Sequence, residues 1–138
     1  MNTYTQILYH VVFATKFREF VLTNPDNRNR LYAYMGGLIH SRNSTPIIIN
    51  GIEDHIHLLF DLHPSVCVSD IVKELKVGSS NFIRNTGLFP QFKYWQNGYA
   101  AFTVSNQSMH ILVNYIKNQV THHSKESSKK EIERLLNT

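Results

Sequence analysis

An α+β fold of the ferredoxin-like, split βαβ kind is predicted by three features of the sequence. There are four short β-rich runs, a helical segment on either side of the middle pair, and a further helical segment after the last run. The order β-α-β-β-α-β-α gives an antiparallel sheet with two helices on one face. The other face is left open for a ligand and for the extra C-terminal helix.

Each element has its own signal. Over residues 6–16, Ile7, Tyr9, Val11 and Phe13 alternate with Leu8, His10, Val12 and Ala14, apolar on nearly both faces, as in a central strand. Thr23-Asn24-Pro25-Asp26 is a turn signal, and the segment from there to about His40 has Leu31, Tyr34, Met35 and Leu38 at helical spacing, with Gly36 and Gly37 as blemishes. Pro46-Ile47-Ile48-Ile49 with Ile52, and then residues 55–62, are two β-rich runs, with Asn50-Gly51 and Glu53-Asp54 suited to the hairpin connection. A second helix is expected from Ser69 or Asp70 to a stop at 87–90, with Ile71, Val72, Leu75, Phe82 and Ile83 inward and Lys73, Lys76 and Arg84 toward solvent. Residues 92–99 are aromatic-rich and turn-broken, and 100–104 has the length and β-branching of a last strand. The final helix is capped by Ser105 and carries an apolar stripe of Met109, Leu112, Val113, Ile116 and Val120, with Tyr115 and Gln119 off that stripe.

At 138 residues the chain reads as a single domain over 1–138, long enough to bury about two-thirds of its unfolded surface. With 42% hydrophobic and 17% charged residues it falls among ordinary globular domains, which excludes wholesale disorder. Fourteen Lys and Arg against ten Asp and Glu give +4, a balance that favours polyanionic partners without singling out nucleic acid. Cys67 is the only cysteine, which excludes an intrachain disulfide and a Cys-based zinc knuckle and fits a reducing compartment. The first residues lack a signal-peptide pattern, and no apolar run approaches the roughly 20 residues of a membrane helix, so the expectation is a cytoplasmic protein with no membrane partner.

Two motifs carry chemistry. In Asp54-His55-Ile56-His57 the histidines are two apart on a strand and project from one face, so both imidazoles can meet one ion, with Asp54 beside them as an acceptor behind the pair. In Tyr115-Ile116-Lys117-Asn118-Gln119 the Tyr and Gln are four apart and share a helix face. If that helix crosses the open sheet face, a phenol and an amide oxygen reach a two-histidine metal site. Two imidazoles and one oxygen, with positions left for phosphate and water, suit Mg²⁺ or Mn²⁺ better than a closed zinc site, though zinc stays open. Tyrosine attack on phosphorus would form a phosphotyrosine that keeps the ester bond energy for rejoining, with no nucleotide cofactor. Taken singly, strand histidines also satisfy backbone partners and helix tyrosines also line core edges.

Lys16, Arg18, Lys73, Lys76, Lys93 and Lys117, interleaved with Tyr94, Trp95 and Tyr99, are candidates to cradle a strand and stack on bases; the competing reading is a solvated surface with core aromatics. Residues 124–130 read as a solvated connector before a short amphipathic Ile132, Leu135, Leu136 segment suited to a partner subunit.

These motifs, in this order, resemble the single-tyrosine HUH transposases of small bacterial insertion sequences and the related REP-associated tyrosine transposases. The resemblance spans essentially the whole chain. It rests on Tyr9-His10-Val11-Val12-Phe13-Ala14-Thr15-Lys16, on Asp54-His55-Ile56-His57-Leu58-Leu59, on the W-x-x-G-Y run from Trp95 to Tyr99, and on Tyr115 to Gln119 followed by His122-His123. It implies a homodimer, with tyrosine helices exchanged between subunits, that binds subterminal DNA hairpins, cuts single-stranded DNA and holds the 5′ phosphate on Tyr115. It also implies His55, His57 and Gln119 as metal ligands, and His10 joins the basic residues as a candidate DNA contact. Val120-Thr121, where acidic residues are common in the family, is a departure that leaves the catalytic positions intact. Two other classes stay open from the residues alone: a catalytically silent single-stranded nucleic-acid-binding module, and a phosphoesterase using activated water. A REP-associated DNA-processing endonuclease is a further alternative within the resemblance.

Overall fold

The computed structural model describes residues 2–119 and Lys130. Val120, Thr121, His122, His123 and the C-terminal amphipathic segment lie outside the described residues. The elements follow the expected order: β1 (Leu8–Ala14), α1 (Pro25–Ser41), β2 (Thr45–Gly51), β3 (His55–Asp61), α2 (Val68–Thr86), β4 (Ala100–Val104) and α3 (Asn106–Lys117). The four strands form one antiparallel sheet in the order β2-β3-β1-β4. This is the split βαβ arrangement with an added C-terminal helix.

β1 is central, as its apolar character on both faces requires. Val11 and Phe13 of β1, with Ile56, Leu58 and Phe60 of β3, face the helix layer. There they pack on Leu31, Met35 and Ile39 of α1 and on Ile71, Val72, Leu75 and Ile83 of α2. By alternation, His10, Val12, His55, His57 and Leu59 point to the opposite face.

Helix boundaries follow local chemistry. Asn24 caps α1 by accepting from the Asn27 N–H at 3.1 Å, and Pro25 takes the first helical position, where its missing N–H costs nothing. α2 begins at Val68, slightly before the expected start, and ends where Gly87 adopts φ 68° and donates to the Ile83 carbonyl. Phe82 is half-buried, stacked on Tyr34 with ring centroids 4.3 Å apart. Ser105 caps α3 by accepting from the Ser108 N–H at 3.1 Å.

The hairpin between β2 and β3 differs from the expectation. Asn50 and Gly51 belong to β2, paired with His57 and Ile56, and the turn is made by Ile52, Glu53 and Asp54, closed by Ile52 N–H to the His55 carbonyl at 3.1 Å. A Cβ at residue 51 would lie 2.2 Å from the His55 carbonyl oxygen, so close backbone approach demands glycine here. Asn-Gly is a strong turn signal, and here strand pairing overrides it.

Candidate metal and nucleophile site

β3 delivers His55 and His57 to the open face, where both are fully buried. Their rings stand 5.1 Å apart and at 68° to one another, converging from adjacent same-face positions. Each has its Nδ1 engaged by a different neighbour. His55 Nδ1–H donates to Asp54 Oδ1 at 2.7 Å. His57 Nδ1 is hydrogen-bonded to His10 Nε2 at 2.8 Å. With both Nδ1 atoms committed, a metal would be met through Nε2 of each ring.

Asp54 is itself fixed in place. Its carbonyl accepts from the Thr15 N–H at 2.9 Å and the Thr15 hydroxyl at 3.3 Å, tying the hairpin turn to the end of β1. Asp54 is only 3% exposed. Its carboxylate therefore meets His55 in a water-poor setting where charge-assisted bonds are strong.

α3 crosses the open face against β2. The Tyr115 ring lies edge-on to His57, centroids 6.1 Å apart and planes at 79°. The helix ends at Lys117, and the Asn50 side chain explains the fixed ending: its Nδ2 donates to the carbonyls of Ile116 at 2.9 Å and Lys117 at 3.3 Å. Asn50 is paired with His57 across the strands, so the end of the tyrosine helix is fastened beside the histidine. Gln119 sits just past a break at Asn118 and is fully buried. The smooth helix expected from Tyr115 to Gln119 is thus interrupted. Among the described residues no group of three or more His, Cys, Asp and Glu side chains is placed to hold a metal. Among those residues the buried Gln119 amide is an oxygen donor of the right type. Two imidazoles oriented from behind, plus one amide oxygen, fit a hard divalent cation that keeps open positions.

Comparison with known proteins decides the family. Residues 3–119 match the family model described as Transposase IS200 like. The chain belongs to the IS200-like transposase family. The transposase for insertion sequence element IS200 of Salmonella typhimurium is 30% identical over 117 residues, covering 81% of this chain and 76% of that protein, and the Salmonella typhi protein matches equally. A Deinococcus radiodurans R1 protein classed as a transposase superposes with a TM-score of 0.67 at 24% identity, covering 86% of this chain and 95% of that one. A REP-associated tyrosine transposase, solved bound to a REP hairpin, superposes with a TM-score of 0.61 at 17% identity, covering 89% and 74%. These two structures share the fold.

In this IS200-like chain the outer candidates separate into two groups. Lys16, Arg18, Lys93 and Lys117 are exposed, with Lys93 3.6 Å from the Glu19 carboxylate. Lys73 is also exposed, but on α2, across the sheet from the histidines, where it lines a groove with Arg42 and Glu74. Three expected DNA contacts are engaged by the protein itself instead. Trp95 is 1% exposed, donates its indole N–H to Ser79 Oγ at 2.9 Å and meets Phe13 and Phe92 edge-on, so no base can stack on it. Lys76 donates to the carbonyls of Gln96 at 2.8 Å and Gly98 at 2.6 Å, and burial pulls its pKa below the usual lysine range. His10 is 2% exposed behind His57.

Sequence reasoning also missed residues. Phe17 and Phe20 are 71% and 70% exposed beside Lys16 and Arg18. Phe17 and Arg18 hold φ of 58° and 54°, a left-handed conformation costly for bulky side chains, with the Phe17 N–H held by the Gln96 side chain at 2.9 Å. The alternation of basic and aromatic types over 16–20 was the available signal. For Asn50 the turn reading hid the role.

Proposed function

We propose that this transposase cuts and rejoins single-stranded DNA through Tyr115, with His55, His57 and Gln119 holding Mg²⁺ or Mn²⁺. The observation that carries the reading is the Tyr115 ring set edge-on to His57 on the covered sheet face, with the helix end fastened there by Asn50. Tyr115 Oη attacks phosphorus and the bond to the 3′ oxygen breaks, leaving a 3′ hydroxyl and a 5′-phosphotyrosine; attack by another 3′ hydroxyl reverses the step and joins new ends. A divalent cation held by His55, His57 and Gln119 would supply positive charge beside the phosphate. The chain's own residues orient: Asp54 and His10 set the two imidazoles, and Asn50 sets the tyrosine helix.

The exposed Lys16, Phe17, Arg18, Phe20 and Lys93 beyond the end of β1, and Lys117 at the end of α3, support a path for the DNA strand. The hairpin-bound REP-associated neighbour supports hairpin-ended DNA as substrate. Within one chain Tyr115 already reaches His57; in a homodimer with exchanged tyrosine helices the same contact would form between subunits. A silent binding module is the weaker reading, because His10, Asp54, His55 and His57 are all buried in one polar cluster, an arrangement that costs stability and has no use in binding alone.

The test incubates the protein with labelled single-stranded oligonucleotides from the hairpin-bearing flanks of its own gene, with Mg²⁺, Mn²⁺ or chelator. A denaturant-resistant adduct is expected with metal and is lost on chelation and in Tyr115→Phe. Nicking by Tyr115→Phe at the wild-type rate would sink the tyrosine mechanism.

A further inference from the structure

The meeting of His10 and His57 follows from strand register. Val12 lies opposite His57 and His10 opposite Leu59, so His10 is the diagonal neighbour of His57 on the open face. Diagonal neighbours are within reach of ring side chains. The joined nitrogens are 2.8 Å apart while the ring centroids are 5.1 Å apart, and the planes differ by 18°. Rings lying face to face cannot bring two nitrogens so much closer than their centres. The rings therefore meet edge to edge and nearly coplanar, with the N–H of one along the in-plane lone pair of the other, as a directed hydrogen bond requires. Phe102 tilts against His10 at 5.9 Å and limits its rotation. At 2% and 0% exposure, neither ring can readily trade this partner for bulk water.

We propose that His10 is the positioning residue of His57. Its Nε2 accepts the Nδ1–H of His57, which selects the tautomer whose lone pair is on Nε2 and aims that lone pair into the site. The same bond puts His10's own hydrogen on Nδ1. His55 reaches the same tautomer through a carboxylate. The pair is supported asymmetrically, one imidazole by an anion and the other by a second imidazole, so that the site buries one carboxylate where two would repel and resist ionisation. The direction of this bond, like its consequence for metal affinity, rests on the metal reading above, because a metal held at Nε2 leaves the hydrogen to Nδ1; the contact between the two rings does not rest on it.

Two measurements on the full chain test this. ¹⁵N NMR of the metal-free protein reads the tautomer of His57 directly: Nδ1–H is expected, shifting toward Nε2–H in His10→Leu. Mn²⁺ titration followed by electron paramagnetic resonance, with no DNA present, is expected to show affinity about 10- to 100-fold weaker in His10→Leu. His10→Gln, whose amide oxygen accepts the same N–H, is expected to restore most of it. An Nε2–H His57 in the wild type, or undiminished Mn²⁺ affinity in a folded His10→Leu, overturns the proposal. If His10→Leu does not fold, the wild-type tautomer and the His10→Gln titration decide. A wild type that binds no Mn²⁺ yet shows Nδ1–H at His57 refutes the metal reading and leaves the positioning role standing.

Discussion

Replacing Lys76 by Met separates a structural lysine from a DNA-binding one. The ammonium donates to the carbonyls of Gln96 and Gly98, and its stem passes over the Phe13 ring with Nζ 5.5 Å from the centroid. Methionine keeps most of the stem and deletes both hydrogen bonds. Charge-assisted bonds contribute about 1.5–3 kcal/mol each at best, and here partial solvent access and the desolvation that lowers the Lys76 pKa offset part of that. A net loss of about 1–2 kcal/mol is expected, or roughly 3–10 °C in Tm for a domain of this size. Thermal unfolding by circular dichroism checks it, with Lys73→Met, on the exposed side of α2, as a control expected to shift stability by less than about 0.5 kcal/mol. The loop freed by the change also holds Ala14 and Phe17 through Gln96, so the Phe17 and Arg18 backbone should loosen with it. A Lys76→Met protein with wild-type Tm and weaker, salt-dependent DNA binding would refute the reasoning and return Lys76 to the DNA surface.

Other outcomes follow from single side chains. Asn50→Ala should cost about 1 kcal/mol and slow single-turnover nicking, because it releases the end of the tyrosine helix; undiminished nicking would show that α3 needs no such tether. Burial pushes the Tyr32 phenol well above its usual pKa of about 10, so below pH 10 it is protonated folded or unfolded and contributes no pH dependence. Above pH 10 the unfolded chain releases that proton while the folded chain keeps it. Stability should then fall by up to about 1.4 kcal/mol per pH unit, and Tyr32→Phe should flatten the slope in urea midpoints measured from pH 8 to 11.

The sequence by itself determined the element order, the central place of β1, the turn before α1, the cap at Ser105 and the shared face of His55 and His57. All of these follow from short-range rules: period-two alternation, helical spacing and the chemistry of a few adjacent residues. The meeting of Tyr115 with His57 was legible only as a condition, that α3 should cross the open face. Trp95, Lys76 and His10 read as candidate DNA contacts because composition cannot tell a ring or amine that meets a ligand from one that meets a partner 16, 20 or 47 positions away. Asn50-Gly51 read as a turn because local propensity was judged without its strand partner. Tertiary structure decided those cases. Alternation puts His57 on a face, but only the pairing of β1 with β3, Val12 opposite His57, brings a second imidazole within 2.8 Å of its Nδ1, because register is a long-range property that no local pattern encodes.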